Sequence, residues 1–320
     1  MTNKQPVYSM SISGKLILEM HSLNNEGGEG NQISTRIVTL VYRDKESGEY
    51  KFSPVNAISG DMIKHIQTEH LYLLSKGSLP LCKGCQKFSA SRVLDDGNFM
   101  ASLAKKDSDV IDDLLKHCVI DDLAGNLIAK GNRAIPRKSI AEYGWVVGIP
   151  EYTQTESYFH VRFASEHGDE QTESEKQAIF HRPASSGVYA IVANFEVARI
   201  GLNDISQKYA ISDDERIKRY SAFLESILYT FIRPSGAMRG TQNPHIVGFD
   251  GVITTTSQVM PAPALSPLDE NYRQELERVT MALNSLKPKA MTIQPFESIG
   301  HFTETMKNLM ETTVPFKLMF

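Results

Sequence analysis

Three cysteines form the most specific metal-binding pattern in the sequence. Two residues separate Cys82 from Cys85, and Cys118 follows directly after His117. A pair of thiolates at this spacing, completed by further thiolate or imidazole ligands, is typical of structural zinc. Because His117 and Cys118 are neighbours, it is awkward for both to ligate one ion. Structural zinc and free cytosolic thiols, with Cys118 buried as a small apolar side chain, therefore both remain open.

Residues 50–74 predict an extended strand that leads directly into a helix. Ser59 is a suitable N-cap for that helix, and apolar residues follow at helical spacing. A helix N-terminus carries free N–H groups and partial positive charge, which suit a phosphate, and Gly60, Lys64 and His65 lie in its first turns. The same residues also fit an ordinary amphipathic helix with a solvated lysine.

The densest basic cluster consists of Arg133, Arg137 and Lys138, and it lies near Tyr143 and Trp145. Cationic groups beside aromatic rings suit a single-stranded nucleic acid with splayed bases. A solvated charged loop is the alternative interpretation of this cluster.

A glycine-rich stretch, GAMRG, occupies residues 236–240. Its backbone N–H groups and Arg239 could lie against a phosphate, although a plain connecting loop fits as well. The Lys-Ser/Thr pair of a nucleotide-triphosphate P-loop does not follow it. The paired aspartates elsewhere are sequence neighbours, which directs their side chains to different faces. Nothing in the residues alone specifies a reaction.

Length and composition indicate a globular protein without a membrane partner. The 320 residues suit one elaborated domain or two modest ones, with 41% hydrophobic and 22% charged residues. A net charge of −4 excludes a surface that is basic throughout, so any nucleic acid would be held by local positive charge. We expect a cytoplasmic protein, since the sequence shows neither a membrane-length apolar run nor a signal-peptide pattern at its start.

The periodicity of the chain predicts an α+β fold. Outside an irregular insertion and a polar excursion, the elements run strand, strand, helix, strand, helix, strand, which is the split βαβ order of ferredoxin-like and RNA-recognition folds. A proline-rich linker and a C-terminal helix follow. We expect strands at 7–20, 36–42, 50–55, 188–197 and 246–255, and helices at 59–74, 212–233 and 271–286.

Several stretches in consistent order resemble one known family over residues 8–255. They are ISGKLILEMHSLNNEGGEGN, VNAISGDMIKHIQTEHL, HCVIDDLAGNLIAKGNRAIPRKS and FHRPASSGVYAIVANFEVARIG, followed by the GAMRG loop. The chain is similar to the DevR-type (Cas-seven family) backbone subunit of type I CRISPR effector complexes, known as Cascade, and it most resembles subtype I-B. Residues beyond 260 carry little of this resemblance.

The resemblance implies a hand-shaped protein. Its RNA-recognition-like (ferredoxin-like, modified RRM) palm would comprise residues 7–76 and 186–255, with a finger insertion at 77–157. A β-hairpin thumb would occupy residues 160–185, and residues 256–320 would form a C-terminal linker and helical extension. Copies of the family polymerise along a CRISPR RNA. The implied partners are CRISPR RNA, the target DNA strand through guide pairing, neighbouring copies and other Cascade subunits.

The resemblance also implies which residues contact the RNA. The start of the first palm helix and the glycine-rich loop would hold the guide backbone, and the finger segment would contact guide or target. Asn24 and Asn25 lie on a similar loop after the first strand. The implied RNA-binding residues are Asn24, Asn25, Ser59, Gly60, Lys64, His65, Arg133, Arg137, Lys138, Gly236, Arg239 and Gly240.

The resemblance favours a non-catalytic subunit for guided DNA recognition in antiviral defence or transposon targeting. No cofactor is expected apart from the zinc alternative at Cys82, Cys85 and Cys118. An alternative is an RNA endonuclease of the same superfamily that uses the thumb residue Asp169, or His65, as acid or base. A transcriptional regulator is a third hypothesis, although the sequence shows no helix-turn-helix pattern.

Overall fold

The computed structural model describes residues 4–30, 32–44, 47–163, 177–238 and 240–320. The strands within these ranges fall into one large sheet and several two-stranded ones. They are β1 (Gln5–Val7), β2 (Ser9–His21), β3 (Asn25–Glu29), β4 (Gln32–Thr35), β5 (Ile37–Arg43), β6 (Tyr50–Ile58), β7 (Asn126–Lys130), β8 (Arg133–Arg137), β9 (Ala141–Tyr143), β10 (Val146–Phe163), β11 (Gln177–Phe195), β12 (Leu202–Asn203), β13 (Lys208–Tyr209), β14 (His245–Thr256), β15 (Met291–Phe296) and β16 (Thr313–Pro315).

Serine side chains cap the starts of α1 and α6. The Ser59 hydroxyl accepts from the Met62 N–H at 3.2 Å, and the Ser212 hydroxyl accepts from the Glu215 N–H at 3.2 Å. The helices are α1 (Gly60–Ser75), α2 (Lys83–Gln86), α3 (Gly97–Ala101), α4 (Asp107–His117), α5 (Val119–Ala124), α6 (Asp213–Ile232), α7 (Tyr272–Leu286) and α8 (Ile299–Thr312).

The large sheet has β2 near its centre, with strand order β15-β14-β2-β11-β10-β6-β5. β2 pairs antiparallel with β14 on one side and with β11 on the other, and β11 pairs antiparallel with β10. In chain order this core runs β2, α1, β10, β11, α6, β14. The four core strands lie side by side in the order β14, β2, β11, β10. Counted in chain order, these are the fourth, first, third and second strands of the core.

The two faces of the sheet are covered differently. Met10, Ile12 and Leu16 on one face of β2 are buried in the main core, which also contains residues from α1, α6 and α8. On the opposite face, the Ser9 and Ser11 hydroxyls donate to the Met260 and Pro263 carbonyl oxygens, at 3.0 and 2.6 Å. The proline-rich linker therefore lies against the face of the sheet opposite α1 and α6.

The α+β class and the bounds of α1, α6 and α7 are confirmed. The insertion is more ordered than its sequence indicated, because α2 to α5 and the β7–β8 hairpin occupy much of it. A short helix at Asp107–His117 was expected and is confirmed as α4, whereas α2, α3 and α5, with four to six residues, make too few turns to give a clear apolar period. The C-terminal region contains β15, α8 and β16, which the sequence did not predict.

β10 and β11 pair antiparallel over a long stretch that includes the described residues of the predicted thumb, 160–163 and 177–185. Residues 164–176, and with them Asp169, lie outside the described residues. The predicted boundary between fingers and thumb falls inside β10, and the boundary between thumb and palm falls inside β11. The division into palm, fingers and thumb stays a prediction.

Candidate nucleic-acid interface

Three segments that are distant in sequence meet beyond the end of β2. The Asn24 side-chain oxygen accepts from the Ser59 N–H at 2.7 Å, which ties the loop after β2 to the start of α1. The Ala237 N–H donates to the Leu23 carbonyl oxygen at 3.1 Å, which ties in the glycine-rich loop. We call residues 23–24, 59–60 and 236–237 the loop junction. It brings together four residues predicted as RNA contacts: Asn24, Ser59, Gly60 and Gly236.

The two junction glycines are needed for packing between chain segments. A Cβ atom on Gly60 would lie 2.2 Å from the Tyr143 carbonyl oxygen, and one on Gly236 would lie 2.5 Å from the Leu23 Cα. The close approach of the Tyr143 backbone therefore requires glycine at position 60, and the contact of this residue with a phosphate stays a prediction. Gly240 is different, since nothing lies within 4 Å of its Cβ position and the residue is exposed.

A buried chain of hydrogen bonds supports the junction. The Leu23 N–H donates to His21 Nδ1 at 3.4 Å, so Nε2 carries the proton and donates to the Tyr189 hydroxyl at 2.8 Å. Tyr189 in turn donates to the Asn56 side-chain oxygen at 2.9 Å. Asn56 donates to Thr35 Oγ1 at 2.9 Å, and Thr35 donates to the Asn24 carbonyl oxygen at 3.2 Å.

Burial sets the protonation states within this chain. It lowers the pKa of His21 to about 4, and it raises the pKa of Tyr189 above its usual range. Both groups therefore stay neutral near neutral pH. His21, Tyr189 and Asn56 were not among the residues predicted from sequence, since single polar residues inside strand patterns give no signal of a shared network.

Residues 138–145 continue from the junction along α1, and we call them the β9 strip. Trp145 is 44% exposed, and the Arg36 guanidinium lies 5.8 Å from its ring centre. The Arg36 N–H donates to the Asn24 carbonyl oxygen, which places this cation–aromatic pair beside the junction. A base can stack on such an exposed ring while the cation faces the backbone of the nucleic acid.

Lys64 and Lys138 lie at the other end of the strip. Lys64 is half-buried near Ala141 and Leu123, and burial, reinforced by the Arg92 charge, lowers the pKa of its ammonium group. Lys138 is exposed and forms an ion pair with Glu142 at 2.6 Å. The β9 strip thus connects these two predicted cations to the loop junction.

The other predicted cations have separate surroundings. His65 is exposed, and its ring centre lies 5.5 Å from that of Phe88. Arg133 is tied to the insertion by the Asp107 carboxylate at 2.5 Å and by the Ala104 carbonyl oxygen at 2.9 Å. Arg239 lies outside the described residues. Asn25, next to the junction, accepts a hydrogen bond from the Ser22 hydroxyl at 2.7 Å.

Arg137 is buried, which contradicts its assignment to an exposed basic cluster. Its guanidinium pairs with Asp122 at 2.7 Å and Asp204 at 2.8 Å, and it donates to the Leu202 carbonyl oxygen at 2.7 Å. Arg219 pairs with the same Asp122 at 2.9 Å. Arg137 therefore links the insertion to the segment before α6, and its donors are not available to a phosphate.

Cys82, Cys85 and Cys118 come together in the interior of the insertion, and Asp121 joins them. One ligand atom from each side chain lies within 4.8 Å of all the others, and all four residues are buried. His117, the alternative ligand in the sequence interpretation, instead pairs through Nε2 with Asp96 at 2.9 Å. Burial, followed by the Cys118 thiol, raises the pKa of Asp121 to about 8.

Comparison with known proteins assigns the chain to a family. The family model described as CRISPR-associated negative auto-regulator DevR/Csa2 matches residues 12–277, which is most of the chain. The chain belongs to the DevR/Csa2 family. The loop junction, the β9 strip and the four-residue cluster are therefore features of a DevR/Csa2 protein.

Two curated relatives have family names that agree with this assignment. "CRISPR-associated protein Cas7/Csa2 1" of Saccharolobus solfataricus is 24% identical over 258 residues, covering 78% of this chain and 79% of the relative. "CRISPR-associated protein Cas7/Cst2/DevR" of Methanocaldococcus jannaschii is 22% identical over 324 residues, covering 94% and 97%.

Solved structures similar to this DevR/Csa2 protein include two chains from surveillance complexes. One structure is titled "CRISPR RNA-guided surveillance complex, pre-nicking", with 14% identity, a TM-score of 0.47, and coverage of 88% of this chain and 90% of that one. The other is titled "CRISPR RNA-guided surveillance complex", with 12% identity, a TM-score of 0.41, and coverage of 88% and 87%. Among the residues that the structure describes, none of the helices combines the length and apolar character needed to cross a bilayer.

Proposed function

We propose that this chain is a non-catalytic CRISPR RNA-binding backbone subunit that oligomerises along the guide in a type I Cascade-like complex. The observation that carries the proposal is the loop junction, where the loop after β2 directly contacts both the start of α1 and the glycine-rich loop, all three predicted from sequence as RNA contacts. Such convergence is expected if these segments share one ligand. The complex would use guide pairing to recognise target DNA in antiviral defence or transposon targeting.

The topology of the sheet supports an RNA-recognition-like palm. Four antiparallel strands and two helices in the order β2, α1, β10, β11, α6, β14 correspond to the split βαβ arrangement. Its strands have the side-by-side order of a ferredoxin-like sheet. The α1 start and the glycine-rich loop before β14 lie at the same end of this sheet, at the junction.

The charge of the chain is compatible with this role. A protein with a net charge of −4 can hold RNA where cations are concentrated locally, and successive copies multiply the phosphate contacts. Head-to-tail stacking of copies is a heterologous interface, which extends along a filament unless its rotation closes a ring. The partners are then CRISPR RNA, neighbouring copies, other Cascade subunits and, through guide pairing, the target DNA strand.

A salt titration of guide binding tests the proposal at Lys64. If Lys64 contacts a phosphate, Lys64→Ala weakens binding and reduces the slope of log affinity against log salt by about one. Lys307→Ala is the matched control, because Lys307 is an exposed lysine on α8 that pairs with Glu311 at 3.8 Å. Equal slopes for wild type and Lys64→Ala would contradict placing the β9 strip and α1 at the RNA.

A cleavage assay separates the binding role from the endonuclease alternative. The purified chain is incubated with guide and complementary RNA in the presence of divalent cations, and the products are resolved by length. The non-catalytic proposal expects intact target RNA. Cleavage at regular intervals, lost in Asp169→Ala or His65→Ala, would contradict it.

A further inference from the structure

Four buried side chains in the insertion converge on one point. They come from two separate segments: Cys82 immediately precedes α2 and Cys85 lies within it, while Cys118 immediately precedes α5 and Asp121 lies in its first turn. Their ligand atoms lie within 4.8 Å of one another. We propose that these residues hold a structural zinc ion, with Asp121 as the fourth ligand.

The distances within the cluster match tetrahedral coordination. A zinc ion with tetrahedral bonds of ordinary length to sulfur and to carboxylate oxygen separates those two ligand atoms by about 3.6 Å. The Asp121 Oδ2 atom lies 3.4 Å from the Cys82 Sγ and 3.7 Å from the Cys85 Sγ. The carboxylate oxygen is thus already at the distance from both sulfurs that a shared ion requires.

The charges around the two neighbouring aspartates also support a cation. Asp122 is buried and has two guanidinium partners, Arg137 and Arg219. Asp121 is equally buried, yet among the described residues it forms no salt bridge, and its oxygens instead accept from thiols of the cluster and from the Asn126 amide. An ionised carboxylate at this depth is unfavourable without a directly bound cation, and a divalent ion shared with the three thiolates would compensate part of their combined negative charge.

The surroundings orient the ligands in the way that metal sites require. The Cys85 N–H donates to the Cys82 Sγ at 3.3 Å, and the Asn126 side-chain N–H donates to the second Asp121 oxygen. Gly84 keeps the turn between the cysteines tight, since a Cβ atom there would lie 1.9 Å from the Arg92 carbonyl oxygen. Backbone packing and hydrogen bonds therefore hold the thiols and the carboxylate in place.

The ligand set points to a structural role for zinc. Three sulfur donors favour zinc over magnesium or calcium, and four protein ligands leave no open position for substrate. The helices that carry the ligands have four and six residues, too short to be stable alone. A shared ion would connect α2 with α5 and so make the insertion more rigid.

Metal analysis of the wild-type chain is the primary test. The protein is purified with a thiol reductant and without chelators, and its metal content is measured by mass spectrometry. We expect about one zinc ion per chain. Replacement by Co²⁺ is expected to give strong thiolate-to-cobalt charge-transfer bands together with the visible bands of tetrahedral cobalt.

Substitutions then identify the fourth ligand. Asp121→Asn is expected to weaken zinc binding at least about tenfold, because even the loss of a residue that only hydrogen-bonds to a metal ligand typically costs that much. Asp121→Cys is expected to keep the ion, because a fourth thiolate also suits zinc. His117→Gln is the matched control next to Cys118, and it is expected to keep the full zinc content because the His117 imidazole pairs with Asp96.

Two results would overturn the proposal. A reduced wild-type chain that contains no stoichiometric metal and takes up neither Zn²⁺ nor Co²⁺ would exclude the site, whatever the variants do. Loss of zinc in His117→Gln with retention in Asp121→Asn would show that the ligand set is different. Neither measurement involves RNA, so these results do not depend on the proposed function.

Discussion

Acidification is expected to destabilise this protein through His21. The imidazole is buried beneath the loop junction, where Nδ1 accepts from Leu23 and Nε2 donates to Tyr189. A protonated ring could not accept the Leu23 N–H, and its charge would be buried without a carboxylate among the hydrogen-bond partners that the structure describes. Protonation of His21 therefore opposes folding.

The size of the effect follows from the pKa shift. Burial lowers the pKa of His21 from 6.5 to about 4, so the unfolded chain binds this proton more readily than the folded one. The stabilisation is complete above the unfolded pKa and is lost as the pH falls towards the folded pKa. The full shift corresponds to about 3.4 kcal/mol, of which about 2 kcal/mol is lost between about pH 7.5 and about pH 5.

Urea denaturation followed by circular dichroism measures this loss. Other groups also titrate in this range, so the informative quantity is the difference between wild type and His21→Gln, which cannot titrate at this position. Between the two pH values, the free energy of unfolding of the wild type should fall by about 2 kcal/mol more than that of His21→Gln. His65→Gln, at an exposed position on α1, should keep the pH dependence of the wild type.

Equal losses of stability in wild type and His21→Gln would refute the argument. So would a nuclear magnetic resonance titration in which the His21 ring protonates with an ordinary histidine pKa in the folded protein. Either result would mean that the ring is accessible to water and that the hydrogen-bond chain does not hold it neutral.

Two further substitutions test the core and the buried ion pairs. Phe249→Ala should lower the free energy of unfolding by about 3–5 kcal/mol in the same urea experiment, because Phe249 packs against Phe231, Phe296 and Phe302. The control is Phe52→Ala at an exposed position, which should change the free energy of unfolding by less than about 0.5 kcal/mol. Arg137→Met should lower the free energy of unfolding by about 3 kcal/mol, because it removes one of the two arginine partners of the buried Asp122. A similar loss in Arg133→Met, at a partly exposed position, would contradict the distinction between a buried and a surface arginine.

Local patterns in the sequence determined the main elements and part of the candidate site. Alternation of apolar residues marked β2, and the serine caps marked the starts of α1 and α6, because strand period and capping act over a few neighbouring residues. The spacing of Cys82 and Cys85 likewise indicated a metal site, since a two-residue gap suffices to bring both thiols to one ion.

Contacts between distant segments decided the remaining features. Arg137 is a basic residue in a basic stretch, and only the approach of Asp122 and Asp204 buries it. Asp121 joins the cysteines instead of His117 because the start of α5 packs against α2.

What the sequence determined by itself is therefore the set of local elements and the residues with phosphate- or metal-binding chemistry. The tertiary structure alone decided which of them share a site, as when Asn24 joins Ser59 and Gly236 packs on Leu23. The physical reason is that capping and periodicity depend on neighbours along the chain. Burial, pairing of charges and convergence of ligands depend on which segments the folded chain brings into contact.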